Sequence, residues 1–135
     1  MPFTTVGGNL AVSYLFSAAA VTRPTVWYIS LHTADPGLTG ANELTTGNAP
    51  GYVRVADTIT VTGLSATNSA ALTFGPASAA WAAATHMCVW DASTGGRPLL
   101  TGQLLKTDLS GPNTVTLGTG DTANFSPSSL TFTLT

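Results

Sequence analysis

The chain has 135 residues and a formal charge of −2, with four Lys or Arg against six Asp or Glu. That length suits one domain over residues 1–135 and is short for two, and the basic residues Arg23, Arg54, Arg97 and Lys106 are too scattered to neutralise a run of phosphates, which argues against a nucleic-acid partner. Charged residues make up 7% of the chain and hydrophobic ones 44%, so Thr, Ser, Asn and Gly must cover much of the surface. Such a surface loses little on desolvation and suits a protein packed against other subunits, although a Thr-rich secreted domain has the same composition.

In chain order, Gly7 and Gly8 break the start, and Asn9 is placed to cap a helix from Leu10 to about Ala20. Leu10, Tyr14 and Ala18 share one face of it, Ala11, Leu15 and Ala19 lie beside them, and Arg23-Pro24 ends it. The stretch "LAVSYLFSAAAV" imitates a signal-peptide core, but no Lys or Arg precedes it. No apolar run approaches the roughly 20 residues that cross a bilayer, so no membrane partner is expected. The helix is only weakly amphipathic. Phe3, Leu10, Tyr14, Leu15 and Phe16 are available for contact, with a neighbouring copy or with the open end of the same domain.

From Thr25 onward the sequence reads as strands. "TVWYISLH" alternates Trp27, Ile29 and Leu31 with Tyr28, Ser30 and His32, and "YVRVADTITVT" alternates Val53, Val55, Ile59 and Val61 with Arg54 and threonines. "SAALTF" places Ala70, Leu72 and Phe74 on one face, and "FGPASAAW" is expected to form one helical turn with Trp81 over the core. "THMCVWD" and "RPLLTGQLL" are nearly continuous apolar runs, as in strands covered on both sides. "TVTL", "ANF" and "SLTFTLT" complete the set, the last with Leu130, Phe132 and Leu134 in register. The fold class is all-β, a β-sandwich or jelly-roll-like arrangement with a short N-terminal helix over about residues 9–20.

Four groups of residues invite a functional reading. In "SLHTADPGLTGANE", His32, Asp35 and Glu43 lie close together. Calcium would take roughly six to eight oxygens and zinc three or four ligands, more than this stretch offers. Asp35-Pro36-Gly37-Leu38 is instead a turn, with Pro presetting φ, Gly supplying a positive φ and Asp35 bonding the backbone that follows. "DASTGGRPLL" lacks the lysine and helix of a phosphate-binding loop and reads as a hairpin connection. Neither His32 nor His86 lies in a recognisable nucleophile setting, and Cys88 in "HMCVW" is a small core residue. No catalytic role, cofactor or metal is therefore expected. Among the aromatic residues, Trp27 and Trp90 lie in strands, Trp81 belongs to the core or to a subunit seam, and Tyr52 is the ring expected to be exposed.

The ordered set "PTVWYISLHTADPGLTGANE", "GYVR", "LTFGPASAAWAAATHMCVWDASTGGRPLL" and "GTGDTANFSPSSLTFTLT" resembles a family of small tailed-phage virion proteins labelled as tail-fibre or head-decoration proteins. The likeness covers nearly the whole chain; "NELTTGNAPGYVR" and "LLKTDLSGPNTV" are longer than the family pattern leads one to expect. Where it is to capsid cement proteins, it implies a homotrimer seated on the major capsid protein over joints in the shell of the virion, made in the cytoplasm of the bacterial host. The alternative is a tail-fibre or baseplate component that binds a host glycan.

Overall fold

The computed structural model describes residues 2–106 and 108–133. The chain is all-β with one short helix: α1 (Thr5–Phe16), β1 (Trp27–His32), β2 (Val55–Asp57), β3 (Ile59–Thr62), β4 (Ser65–Asn68), β5 (Leu72–Phe74), β6 (His86–Trp90), β7 (Pro98–Gln103), β8 (Ala123–Phe125) and β9 (Thr131–Thr133). These strands form a four-stranded sheet in the order β2-β1-β6-β7, a three-stranded sheet β3-β4-β9 and a pair β5-β8. All the pairings are antiparallel.

One core joins the sheets. Ile29, Leu31, Met87 and Val89 from the larger sheet meet Leu72, Phe74, Ala123 and Phe132 from the smaller ones. The alternation expected of β1 is thus realised, since Ile29 and Leu31 point into this core. The opposite face of β1 and β6 is also buried, through Ser30, His32, Cys88 and Trp90, so these strands are covered on both sides. A loop lies directly on this second face. A Cβ on Gly40 would fall 2.6 Å from the Trp90 ring, a gap only glycine fits.

The helix differs from expectation at both ends. It starts at Thr5 and stops at Phe16 rather than running from Leu10 to Ala20, and its N-cap is Thr4, not Asn9. Thr4 Oγ1 accepts the Gly7 N–H at 3.0 Å and donates to the Pro98 carbonyl. Gly7 breaks nothing: it is the contact point, because a Cβ there would sit 2.0 Å from the Leu99 carbonyl oxygen. The segment before the helix pairs with the free edge of β7, through Thr4 N–H to Leu99 O at 2.9 Å and Thr101 N–H to Pro2 O at 3.0 Å. Packing rather than alanine content therefore sets the helix limits, and the exposed Ala18–Ala20 stretch stays outside it.

Three segments also differ from expectation, and β4 is a strand that the sequence reading did not place. The run at 52–62 splits into β2 and β3, which belong to different sheets and meet at Thr58, whose carbonyl accepts from Ser69. "SATN" forms β4 although it has no apolar alternation, because the Gly63-Leu64 turn folds it back onto β3. "TVTL" makes only an isolated bridge between Val115 and Ala84. "FGPASAAW" forms no helical turn, although Trp81 does pack into the core. Leu134 of the last run lies outside the described residues; Leu130 and Phe132 are buried as expected.

Candidate functional site

The stretch from Ser30 to Glu43 folds over its own strand. His32 is completely buried; its Nδ1 lies 2.6 Å from the Ala41 carbonyl and its Nε2 2.6 Å from Ser30 Oγ. The Trp90 indole donates to the same Ser30 oxygen at 2.7 Å. The Ala41 carbonyl takes the Nδ1–H, and Ser30 accepts the Trp90 N–H while its own O–H has two acceptors in reach, His32 Nε2 and the Cys88 carbonyl at 3.2 Å. Burial pushes the imidazole pKa down and so favours the neutral ring, against the opposing pull of the Ala41 carbonyl. The Ser30–His32 contact is sealed on both sides, so no substrate reaches the hydroxyl.

The loop itself is the expected turn. Asp35 Oδ1 accepts the Gly37 N–H at 2.8 Å, Gly37 has a φ of 57°, and the loop closes through Ala41 N–H to Pro36 O at 2.9 Å. Its last residue, Glu43, bridges back to His32, and its carboxylate meets Arg54 bidentately, with Nε to Oε1 and Nη2 to Oε2 both 2.7 Å. Tyr52 donates to Oε1 of Glu43 at 3.1 Å and accepts the Leu31 N–H at 3.1 Å. Arg54 Nη1 donates to the carbonyls of Ala92 and Gly95, and its guanidinium lies 3.7 Å above the Trp90 ring centre. A fork of five donors over an aromatic face is what only arginine supplies. In the sequence, "GYVR" marks the family resemblance and an alternating run, with no sign of the Glu43 partner. Tyr52 and Arg54 lie two positions apart in the segment leading into β2, and that spacing was the available signal that they share one side of the chain.

This anchor corrects one expectation outright. Tyr52 is buried, not exposed: it stacks near Phe74 and meets the edge of Trp81 at 5.7 Å, and burial raises its phenol pKa. Trp81 donates its indole N–H to Pro50 O at 2.9 Å inside the core. Neither ring can stack on a ligand. Cys88 is likewise buried, its pKa pushed up to about 12 by burial, and His86 contacts Thr85 Oγ1 at 2.9 Å. The "DASTGGRPLL" hairpin closes as expected, with Asp91 pairing with Arg97 and accepting its backbone N–H. Among the described residues, no three His, Cys, Asp or Glu side chains gather as a metal site.

The remaining candidates lie together on the outside. Leu10 is half-buried against the core, Phe3 is exposed, and Tyr14, Leu15 and Phe16 are 62%, 70% and 81% exposed. Beside them runs an apolar groove of about 370 Å³, bounded by Leu10, Tyr14, Trp27, Ile59, Leu100 and Phe132. The helix carries no charge in its first or last turn. Arg23 is the charged residue among those lining the groove; apolar patches of this kind mark interaction sites on many proteins.

A family model described as podophage GP4 fiber I protein gp80 matches residues 2–133. The chain belongs to this family. It is therefore a structural protein of a phage, and its place is the virion. No curated protein sequence matches the chain. In this chain the Glu43–Arg54–Trp90 anchor holds the segment between β1 and β2 in place.

Proposed function

We propose that this protein is a component of a phage tail fibre, with an assembly and adhesive role and no catalytic step. The observation that carries the reading is the match to a fibre protein family over residues 2–133. It favours the fibre over the head-decoration role, with its major capsid protein partner, that the sequence resemblance implied. The surface supports assembly. Tyr14, Leu15 and Phe16 project from a helix without charge beside an open, largely apolar groove, and a second copy of this chain offers the same apolar face in return. Many such contacts along a fibre reinforce one another through effective concentration. A homotrimer is the assembly proposed.

Labelling purified virions with an antibody to this chain and imaging them tests the placement. Label on fibres at the tail is the expected result. Label spread over the head overturns the fibre role and returns the head-decoration role.

A further inference from the structure

The groove beside α1 has a chemistry of its own, separate from that of the helix end. Leu15 and Phe16, the most exposed side chains of the helix, do not line it. Its walls are Leu10 of the helix, Trp27 and Leu100 of the larger sheet, and Ile59 and Phe132 of the three-stranded sheet, around an open space of about 370 Å³. Arg23 is the charged lining residue, and its exposure puts it at the rim. The ion pairs among the described residues are Arg54–Glu43 and Arg97–Asp91, so Arg23 has no counter-charge there. The surrounding chain does not supply one either. Residues 1–34 contain no Asp or Glu, and Asp57, paired opposite Trp27, is buried and does not line the groove.

From this arrangement we infer that the groove binds a free fatty acid, its chain between the sheets and its carboxylate on Arg23. Concave, mostly apolar spaces of about 300–1,000 Å³ with a few polar groups are the usual form of a small-molecule site. At roughly 30 Å³ for each water-sized group, the groove holds about a dozen, so a saturated chain of about ten to twelve carbons fills it. A guanidinium takes a carboxylate through two parallel N–H bonds, and apolar walls beside the pair strengthen it. Charge decides between occupants. The helix end of a second copy is apolar but brings no anion, so seating it in the groove would bury Arg23 unpaired, which is unfavourable. A ligand rich in hydroxyls or phosphates fares worse, because the walls leave its polar groups without partners. The second copy therefore meets Leu15 and Phe16 outside the groove, and the acid lies within it.

Calorimetry and tryptophan fluorescence with the full chain test this, using octanoate, decanoate, dodecanoate and tetradecanoate below their micelle concentrations, with decanol as the uncharged comparison. Saturable binding of one acid per chain is expected. It should strengthen roughly fourfold for each added methylene and level off by dodecanoate, where the groove is full. Arg23→Gln should weaken decanoate at least about tenfold and leave decanol unchanged. Ala11→Phe fills the groove from the helix side and should abolish both, whereas Val53→Ala, an exposed position away from the groove, should change neither. Because Arg23 is exposed and unpaired, near-ultraviolet circular dichroism of Arg23→Gln should match the parent, so this variant decides the matter even if Ala11→Phe misfolds. Absence of saturable binding across the series overturns the proposal, as does decanoate binding that Arg23→Gln retains in full. Affinity still climbing from dodecanoate to tetradecanoate means surface adsorption and also overturns it. Binding to phosphatidylglycerol vesicles without binding to the monomeric acids makes the groove a membrane contact instead. Acid binding that disappears as the chain self-associates makes it part of the interface between copies. None of these outcomes touches the placement on the fibre, which antibody labelling decides separately.

Discussion

Arg54 shows how one side chain can hold several segments. Its side chain is 7% exposed, and it joins Glu43, the Ala92 and Gly95 carbonyls and the Trp90 ring. Arg54→Met leaves the Glu43 carboxylate with only Tyr52 as partner in a mostly buried place, and should cost about 3 kcal/mol in urea unfolding. Arg54→Lys keeps the charge but loses the fork, and should fall between the two. His32 and Asp57 pull stability in opposite directions with pH. Burial lowers the His32 pKa below 6.5, so between the folded value and 6.5 only the unfolded chain takes up the proton; its contribution is complete above 6.5 and declines as pH falls through that window. Asp57 is buried with no well-formed hydrogen bond to either carboxylate oxygen, and burial raises its pKa above 3.8 against the weaker pull of the Thr58 backbone N–H. There the folded chain holds the proton, so stability is complete below 3.8 and is lost as pH rises through the folded value. Asp57→Asn should therefore be about 1 kcal/mol more stable than the parent at neutral pH, with the gap closing towards pH 3.8. Urea midpoints measured across this range check both signs: a gap that widens towards acid would contradict the assignment, and His32→Gln should flatten the decline below 6.5.

At the scale of elements, the adjacent glycines of α1 separate two roles that sequence alone merges. A Cβ on Gly7 meets the Leu99 carbonyl at 2.0 Å, whereas a Cβ on Gly8 finds nothing nearer than Phe3 Cβ at 3.8 Å. Gly7→Ala must push the helix off β7 and should destabilise by about 2–3 kcal/mol, as overpacking does. Gly8→Ala gains helix propensity without a clash and should stabilise by up to about 1 kcal/mol. Thermal melts of the two variants, shifted in opposite directions, check the docking geometry. Asn68 plays a comparable joining role between β4 and the segment before β9: fully buried, it donates to Ala70 O and Ser126 O and accepts the Leu130 N–H. No alternation in "SATN" marks such a residue, because Ser126 and Leu130, two of its three partners, lie far along the chain.

For the whole molecule, the absence of charge from the helix and the exposure of its end belong together. Leu15→Glu with Phe16→Glu replaces two exposed apolar side chains by carboxylates and should leave the urea midpoint of the isolated chain within about 0.5 kcal/mol. Self-association should weaken clearly by sedimentation velocity. If the sedimentation profile is unchanged, the helix end is not the assembly surface. The groove beside it stays apolar because both sheets contribute to it, with Trp27 and Leu100 on one side and Ile59 and Phe132 on the other.

By itself the sequence determined what depends on neighbours along the chain. The β1, β6 and β7 runs, the Asp35 turn and the Asp91–Arg97 hairpin all follow from residues within a few positions of one another. Low charge, too, is a property of composition. Tertiary structure decided whatever needs a distant partner. Leu99 makes Gly7 a contact rather than a breaker. Sheet exchange at Thr58 divides one alternating run into β2 and β3. The Glu43 carboxylate and the Leu31 N–H draw Tyr52 inward, and its aromatic neighbours close over a ring that local pattern placed outside. Period and propensity report which face a residue shares, but only the folded chain brings up the group that will cover that face.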